Sequence, residues 1–365
     1  PPTLLRPHQL HHYQITAIRH QLAHERSMLW LDMGLGKTII TLTSIKERMD
    51  RVQVFGSLIL APLRVCHTVW EPEANKWEHT QELTFSHITG SETDRLRGIM
   101  RRADIYLLNY ENVQWFIKEI ETRFLSRGLY PHFNNIVFDE ISKMKDSGSK
   151  RHQSIRRLLP YVPYRTGLTG TPAPNGYKDL HGQYLAVDDG MRLGRTKTEF
   201  KENWFHPSGY MGYDLELNQG ADQFMKQRIA DITLEMAAED YIDMPALTFN
   251  DIVVHMDAKT RAKYDQLERE LFIELDSGRD IEVNNEASKT NKCLQAANGA
   301  LYIEPGCPEW DWLHDAKLDA LDDIVEEAAG QPLLIVYEFR HDVARIKAKY
   351  PDAHFVGDYK TKAQA

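Results

Sequence analysis

A short loop near the amino terminus has the residue types that bind phosphate. Residues 29–40, LWLDMGLGKTII, place Gly34, Gly36, Lys37 and Thr38 just after an apolar run. In such a loop, successive backbone N–H groups and the positive end of a helix dipole point at phosphate oxygens, and the lysine ammonium reaches the terminal phosphates. The threonine supplies a hydroxyl for Mg²⁺. The pattern therefore indicates a nucleotide site.

The first glycine of the usual G-x-x-x-x-G-K-[ST] pattern is missing, because Leu31 occupies its position. Gly34 and Gly36 are the residues that let the backbone bend closely around a phosphate. The outer position lies at the strand end, where leucine fits as long as the turn needs no positive φ. We therefore expect Leu31 to leave phosphate binding intact.

Two adjacent carboxylates, Asp139 and Glu140, end a second apolar run in the stretch NNIVFDEIS. Nucleotide hydrolysis needs one acid that holds Mg²⁺ and another that orients or deprotonates the attacking water. An acid pair after a strand also marks many ordinary helix N-termini. Together with the phosphate loop, the pair predicts nucleotide hydrolysis with Lys37, Asp139 and Glu140 as catalytic residues. Thr38 and Asp139 are the predicted Mg²⁺ ligands.

These groups must be positioned by strands that end at one edge of a sheet. Apolar, β-rich runs alternate with helical patterns, which predicts an α/β fold with a parallel sheet covered by helices. A second set of strands is predicted farther along the chain, with helices at about 259–276 and 315–329 between them. The predicted strands are residues 57–62, 104–110, 135–140, 164–171, 249–256 and 332–339.

The length of 365 residues exceeds the usual size of a single hydrophobic core, which predicts two lobes. A proline interrupts the pattern in YIDMPALTF, residues 241–249, so we expect lobes at 1–245 and 246–365. The segment of about 188–245 has no firm periodicity and is predicted to be a helical protrusion between them.

The net charge of −9 is distributed unevenly. Residues 309–327 carry eight acids and one lysine, whereas residues 142–157 carry six basic residues and one acid. The basic run forms either a nucleic-acid groove or an ordinary solvated face.

No apolar run approaches the ~20 residues of a membrane span, and the three cysteines form no C-x-x-C pair. These features argue against membrane insertion and secretion, and a reducing cytosol or nucleus fits.

With LTGTP at residues 168–172 the motifs form a set that resembles the Swi/Snf-type family of superfamily-two helicase-like ATPases, which translocate on double-stranded DNA. Three separated motifs agree with the family pattern in consistent order. The similar segments are residues 10–18 (Q motif), 32–38 (motif I), 58–77 (motif Ia), 107–113 (the next DNA-facing motif), 139–142 (motif II), 168–175 (motif III) and 317–339 (the region of motif IV).

The resemblance implies two RecA-like lobes, the second incomplete, that close on ATP and Mg²⁺ and move along duplex DNA. It implies that Gln14 reads the adenine, with Gln9 as a less well-spaced candidate. Residues implied to surround the phosphates are Met33, Gly34, Leu35, Gly36, Lys37 and Thr38. Residues implied to lie near the DNA or to couple it to the nucleotide are Pro62, Arg64, Tyr110, Thr169, Gly170 and Thr171.

Two departures from the family pattern affect the expected activity. Ser142 replaces the usual histidine of motif II, and no G-x-G-x-N motif V or Q-x-x-x-R-x-x-R motif VI is found. Those motifs would supply an arginine finger, whose loss costs on the order of 10³–10⁵ in rate. We therefore expect the chain as given to bind ATP but to hydrolyse it slowly, as a piece of a longer motor. Its compactness resembles phage and bacterial members, which implies a bacterial host cytoplasm; a eukaryotic member would be nuclear.

Other functions remain open from the sequence. An RNA or single-strand helicase of the same superfamily is the nearest alternative, although LTGTP favours the DNA motor over RNA helicases that carry S-A-T there. A non-hydrolysing ATP- or DNA-binding module is another. Protein partners are not indicated, and the chain is expected to be a monomer.

Trp70 and Trp77 are predicted to pack in the core, while Trp204 and Phe205 fit either a small core or nucleic-acid contact.

Overall fold

The computed structural model describes residues 4–208, 214–242, 248–270, 272–274, 280–282, 286–304 and 308–358. These residues form two compact units, the first ending at residue 242 and the second beginning at residue 248. The division falls within the segment at which the sequence predicts the lobe boundary, and residues 243–247 themselves lie outside the described residues.

The first unit is built on a seven-stranded sheet in which all neighbouring strands are parallel. The predicted α/β class is confirmed, as are the four strands predicted in this lobe. The strands of the unit are β1 (Arg26–Leu31), β2 (Ser57–Ala61), β3 (Phe85–Ile88), β4 (Ile105–Asn109), β5 (Asn135–Asp139), β6 (Tyr164–Thr169), β7 (Phe205–Ser208), β8 (Asp214–Leu217) and β9 (Thr233–Met236). The order across the sheet is β3-β4-β2-β5-β6-β1-β9.

Helices connect the strands and cover the sheet. None of them within the described part of the chain has the length and apolar character needed to cross a membrane. The helices of the first unit are α1 (His12–Ala23), α2 (Lys37–Asp50), α3 (Leu63–Thr68), α4 (Trp70–Ala74), α5 (Glu92–Met100), α6 (Val113–Arg123), α7 (Lys150–Leu158), α8 (Leu180–Asp188), α9 (Lys197–Trp204) and α10 (Ala221–Ile229).

Successive strand residues supply two separate cores, one on each face of the sheet. Along β1, Met28 and Trp30 pack on one face, and Leu29 and Leu31 pack on the other. This alternation follows from the two-residue repeat of a strand, and covering both faces accounts for the continuous apolar runs in the sequence. Helices α1 to α4 pack on the face of Leu29, and α6 to α10 pack on the face of Met28.

Parallel strands bring their carboxyl ends to a single edge of the sheet. Asp139 at the end of β5 is level with Leu168 in β6, and Thr169 at the end of β6 is level with Trp30 in β1. The loops that follow β1, β5 and β6 therefore leave the sheet side by side, at the edge where ligands bind in open α/β sheets.

The segment predicted as a helical protrusion, about 188–245, is in part a component of the main fold. Helices α9 and α10 flank the antiparallel hairpin of β7 and β8, whose connection at residues 209–213 lies outside the described residues. Strand β9 then joins the sheet as the outer neighbour of β1. Trp204 and Phe205 are buried in the core on the Met28 face, so these two side chains pack rather than bind nucleic acid.

The second unit contains four helices and two antiparallel hairpins in its described residues. A small core of Leu267, Ala296, Leu301 and Leu313 joins the first two of these helices to the second hairpin. The elements are α11 (Ala258–Glu270), β10 (Phe272–Glu274), β11 (Asp280–Glu282), α12 (Glu286–Asn298), β12 (Ala300–Tyr302), β13 (Trp310–Trp312), α13 (Ala316–Glu327) and α14 (Arg340–Lys349).

Sequence patterns in this unit gave both correct and wrong predictions. Helix α13 confirms the prediction at 315–329, but the helix predicted at about 259–276 ends at Glu270 and a short strand follows. Residues 249–256 and 332–339 do not form strands, and their apolar side chains are largely exposed; Leu334, for example, is 86% exposed. A strand needs neighbours for its backbone hydrogen bonds, and the described residues offer none to these two segments.

A close approach between α8 and the turn after β5 gives a stability test. A Cβ added at Gly182 would lie 2.3 Å from the carbonyl oxygen of Met144 and 2.4 Å from that of Lys145. We expect Gly182→Ala to lower the free energy of unfolding by about 1–3 kcal/mol, because rigid backbone must move. Urea unfolding measures this change. Gly148→Ala, whose Cβ would meet only the Asp146 carboxylate at 3.3 Å, serves as the control; equal midpoints for the two variants would contradict the prediction.

Candidate active site

The loop after β1 has the backbone conformation that a phosphate site requires. Gly34 and Gly36 adopt positive φ angles of 88° and 77°, and α2 begins at the next residue, Lys37. Leu31 ends β1, is fully buried and does not adopt a positive φ. Its side chain packs in the core on the α1–α4 face, so the leucine at the usual glycine position fits this loop without strain.

Lys37 lies across the start of the loop. Its ammonium donates hydrogen bonds to the carbonyl oxygens of Leu31 at 2.8 Å and Asp32 at 3.2 Å. Burial lowers the pKa of Lys37, and the nearby carboxylates of Glu140, Asp139 and Asp32 act in the opposite direction. The positive charge of the loop and the acid pair after β5 therefore share one electrostatic environment.

The loop after β6 lies close to the same lysine. A Cβ added at Gly170 would lie 3.2 Å from the carbonyl oxygen of Leu31 and 3.7 Å from the Lys37 ammonium. Thr169 is fully buried, and its hydroxyl accepts a hydrogen bond from the backbone N–H of Thr171 at 3.0 Å. Any displacement of this loop would alter the surroundings of Lys37, which is the arrangement needed for the predicted coupling role.

Asp139 is held by a buried tryptophan. The indole N–H of Trp70 donates to Oδ2 of Asp139 at 3.0 Å. Burial raises the pKa of Asp139 from 3.8 to about 6, although the Trp70 hydrogen bond and the charge of Lys37 lower it. The ionised form of Asp139 is therefore disfavoured relative to the protonated form until a cation approaches it.

Glu140 occupies a strained backbone position, since its φ of 58° lies in the left-handed region. The hydroxyl of Tyr110 donates to the carbonyl oxygens of Asp139 at 2.9 Å and Glu140 at 3.5 Å. The sequence prediction placed Tyr110 near the DNA, but only 2% of it is exposed. Its side chain positions the acid pair, because its hydroxyl is already engaged beneath that turn.

Two glutamines were candidates for adenine recognition. Gln14 is buried beside the phosphate loop, where its side-chain N–H donates to the carbonyl oxygen of Leu35 at 3.4 Å. Its carbonyl oxygen accepts from the backbone N–H of His11 at 3.0 Å. Gln9 is exposed and accepts from the backbone N–H of Arg6 at 2.7 Å. Of the two glutamines, the structure brings only Gln14 to the phosphate loop.

The oxygen atoms at this edge suit Mg²⁺, which prefers hydroxyl, carboxylate and phosphate oxygens. The Thr38 hydroxyl at the start of α2 and the Glu140 carboxylate have no hydrogen-bond partner within the described part of the chain. Asp139 accepts a side-chain hydrogen bond at Oδ2. The donor set thus fits a hydrated Mg²⁺ ion, with Thr38 and Asp139 as the residues that would hold it.

The remaining predicted residues lie near this edge, and one of them is buried. Pro62 caps α3, and Arg64 is exposed with no acidic partner among the described residues. Met33 is 78% exposed at the tip of the phosphate loop, whereas Leu35 is fully buried beneath it. Exposure leaves Arg64 available to a polyanion and Met33 to a ligand above the loop.

Basic side chains border a groove of about 600 Å³ beside the acid pair. Tyr110 and Pro174 lie in the same lining. The groove includes two acids, so it is mixed rather than uniformly positive. Its charged residues are Lys143, Lys145, Lys150, Arg151, Glu111 and Asp146.

Sequence reasoning missed two residues that organise the site. Trp70 was correctly predicted to be buried, but its hydrogen bond to Asp139 was not foreseen. Asp32, the acid that opens DMGLGKT, accepts from the backbone N–H of Ala238 at 2.9 Å and so ties the phosphate loop to the chain after β9. The position of Asp32 just before the glycines of the phosphate loop is the sequence feature that could have indicated its role. No sequence signal indicates the partner of Trp70.

The raised pKa of Asp139 predicts a pH-dependent gain from Asp139→Asn. The carboxyl is protonated more readily in the folded chain than in the unfolded chain, so folding is penalised above pH ~6 and not below pH ~4. The variant is expected to be more stable by roughly 1–3 kcal/mol at pH 8, because asparagine removes the buried charge and still accepts from Trp70. Thermal unfolding at pH 4 and pH 8 measures this, with the exposed Asp50→Asn as control. A gain of equal size at both pH values would contradict it.

Comparison with known proteins places this chain in a family. The model of the SNF2-related domain matches residues 8–300. Putative protein p41 of Acyrthosiphon pisum secondary endosymbiont phage 1 is 36% identical over 349 residues, which cover 93% of this chain and 74% of that protein. The DNA excision repair protein ERCC-6-like of Mus musculus is 29% identical over 178 residues, which cover 48% of this chain and 14% of that protein.

A solved structure, the Sulfolobus solfataricus SWI2/SNF2 ATPase core in complex with dsDNA, matches with a TM-score of 0.52 and 22% identity. The match covers 88% of this chain and 64% of that one, so the chain spans less than two thirds of the solved core. This likeness supports the fold alone. The family match covers most of the chain, however, and the chain therefore belongs to the SNF2-related domain family as a helicase-like ATPase core.

Proposed function

We propose that this chain binds ATP and Mg²⁺ at the carboxyl edge of its first sheet, hydrolyses the terminal phosphate and uses the cycle to move along double-stranded DNA. The observation that supports this most directly is the position of Lys37. Its ammonium lies beside the loop after β6 and within the field of the acid pair after β5. Three loops that a phosphoryl-transfer site needs are thus arranged around one cation.

Lys37 is the residue that exchanges partners when nucleotide binds. Its ammonium donates to the backbone carbonyl oxygens of Leu31 and Asp32 at the end of β1. Phosphate oxygens carry more negative charge than these carbonyls, and hydrogen bonds between charged partners are about twice as strong as neutral ones. The ammonium therefore turns to the terminal phosphates, while the N–H groups at the start of α2 bind the same anion. Thr38 and Asp139 would hold Mg²⁺, which would neutralise phosphate charge when bound.

Glu140 is assigned to the attacking water. Its carboxylate has no hydrogen-bond partner among the described residues, so its oxygens are available to accept a proton or to orient a water molecule. The strained turn at Glu140 is maintained from below by the Tyr110 hydroxyl. This support holds the backbone from which the Glu140 side chain extends, as positioning of the nucleophile requires.

Duplex DNA is the proposed track. Lys143 and Lys150 border the groove beside the acid pair, are exposed, and form no salt bridge within the described residues. Arg64, outside this groove, is also exposed and forms no salt bridge among the described residues. Unpaired cations of this kind attract a phosphate backbone without reading its sequence. Closure of the two lobes on ATP is proposed as the step that moves the chain along this backbone.

Stimulation of ATP hydrolysis by different nucleic acids tests the track. Duplex DNA, single-stranded DNA and RNA of equal length are added to the full-length protein. We expect duplex DNA to give the largest increase. Preferential stimulation by RNA or single strands would instead support a helicase of the same superfamily, and ATP binding without hydrolysis under all three conditions would support a binding module.

Two substitutions separate nucleotide binding from turnover. Lys37→Ala should weaken ATP binding more than 10-fold, because charge-assisted contacts to phosphate are lost. Glu140→Gln should leave ATP affinity within about 3-fold of the original and lower hydrolysis at least 100-fold, because a general base contributes 10²–10⁴ in rate. Fluorescent-nucleotide titration and phosphate release measure the two quantities. Lys46→Ala, in the same helix as Lys37, is the control, and equal losses of binding in both site variants would refute these assignments.

Arg64 supplies a test of the DNA surface. Arg64→Ala should weaken binding to duplexes of unrelated sequence by a similar factor and reduce the slope of log affinity against log salt by about 1, as expected for one lost phosphate contact. Fluorescence anisotropy at several salt concentrations measures the slope. Arg97→Ala is a suitable control, because Arg97 is exposed but faces Asp94 at 3.5 Å. An unchanged slope in Arg64→Ala would remove this residue from the proposed surface.

A further inference from the structure

We propose that Trp70 is a positioning residue for the Mg²⁺ site, and that its indole N–H holds the Asp139 carboxylate in the orientation that binds the ion. The inference rests on the proposed function, since it assumes that Asp139 is a Mg²⁺ ligand. It adds a residue from α4, outside the phosphate loop and the acid pair, to the groups on which metal binding depends.

The geometry of Trp70 leaves its N–H a single direction. The side chain is fully buried and packs in the core on the α1–α4 face with Cys66 and Ala74. Its Nε1 lies 3.0 Å from Oδ2 of Asp139. A ring enclosed on all sides cannot rotate to another acceptor, so the donor is fixed relative to the sheet.

Trp70 is also the side chain that the carboxylate depends on. No other side chain in the described residues donates a hydrogen bond to the Asp139 carboxylate. The buried thiol of Cys66, near the same carboxylate, instead donates to the carbonyl oxygen of Ala61 at 3.6 Å. A buried carboxylate without donors is expensive, and it turns toward whatever polar group it can reach. Trp70 therefore engages Oδ2 of Asp139, and the backbone N–H of Glu140 is a further donor to this carboxylate.

The chemistry of the donor suits a metal ligand. An indole N–H is neutral, so it orients the carboxylate without neutralising the negative charge that Mg²⁺ needs. A lysine or arginine in this place would compete with the ion. Groups that orient metal ligands through one hydrogen bond commonly change metal affinity by 10–100-fold when they are removed.

Trp77 provides a matched comparison within the same segment of chain. It is 6% exposed, and its indole N–H donates to Oε1 of Glu73 at 3.1 Å. Trp77→Phe therefore removes a buried indole donor of the same kind without touching Asp139. Any difference between Trp70→Phe and Trp77→Phe reports on the Asp139 hydrogen bond rather than on the loss of an indole.

The test is a Mg²⁺ titration of fluorescent ATP-analogue binding to the two variants and to the unchanged chain. For Trp70→Phe we expect the Mg²⁺ concentration at half-saturation to rise 10–100-fold, while analogue affinity in EDTA stays within about 2-fold. For Trp77→Phe both quantities should stay within about 2-fold of the unchanged chain. Circular dichroism establishes that each variant is folded at the assay temperature.

A second variant covers the case in which Trp70→Phe does not fold. Incorporation of 3-benzothienylalanine at position 70 keeps the two fused rings and replaces the N–H by sulfur. The same 10–100-fold loss of Mg²⁺ affinity is expected in this variant. Unchanged Mg²⁺ dependence in a folded position-70 variant, with the original chain Mg²⁺-dependent, would overturn the role of Trp70 alone. Mg²⁺-independent binding in the original chain would overturn the proposed Mg²⁺ site and this role together.

Discussion

The site depends on one constraint, which is that a parallel sheet must be covered on both faces. Helices α1 to α4 and α6 to α10 occupy those faces, so the open ends of the strands are where polar loops meet solvent. Parallel direction then collects the loops after β1, β5 and β6 at a single edge. Lys37, Asp139 and Gly170 are far apart in sequence and become neighbours for this reason. The topology of the sheet determines where these groups meet, and the residue types in the loops determine which reaction they can support.

Within that edge, burial sets the balance of charge. It lowers the pKa of Lys37 and raises the pKa of Asp139, so each charged form is favoured by the presence of the other. Neutral donors hold the acid pair, since Trp70 engages the Asp139 side chain and Tyr110 engages the backbone below it. Because neither Trp70 nor Tyr110 carries a positive charge, the negative charge of Asp139 remains available to Mg²⁺.

The sequence predicted those parts of the molecule that local pattern determines. The central strands were found because buried parallel strands are apolar throughout, and the phosphate loop because its glycines and lysine have fixed spacing. Strand β9 was missed because it is short and joins the edge of the sheet next to β1. Residues 249–256 were wrongly predicted as a strand because an apolar pattern does not supply the neighbouring strand that its backbone needs. The hydrogen bond from Trp70 to Asp139 depends on tertiary packing, which spacing alone does not encode.

The distribution of charge, rather than its sum, bears on nucleic-acid binding. The chain has a net charge of −9, but its acidic stretch at 309–327 lies in the second unit and the basic run at 142–157 lies in the first. That basic run directly follows the acid pair. Arg151 within it stacks over the ring of Tyr110, with 5.4 Å from its guanidinium carbon to the ring centre, and the Tyr110 hydroxyl donates to the Asp139 carbonyl oxygen. A polyanion that engages Arg151 would thus act on a side chain in direct contact with the support of the acid pair, which gives nucleic acid a short physical route to the nucleotide site.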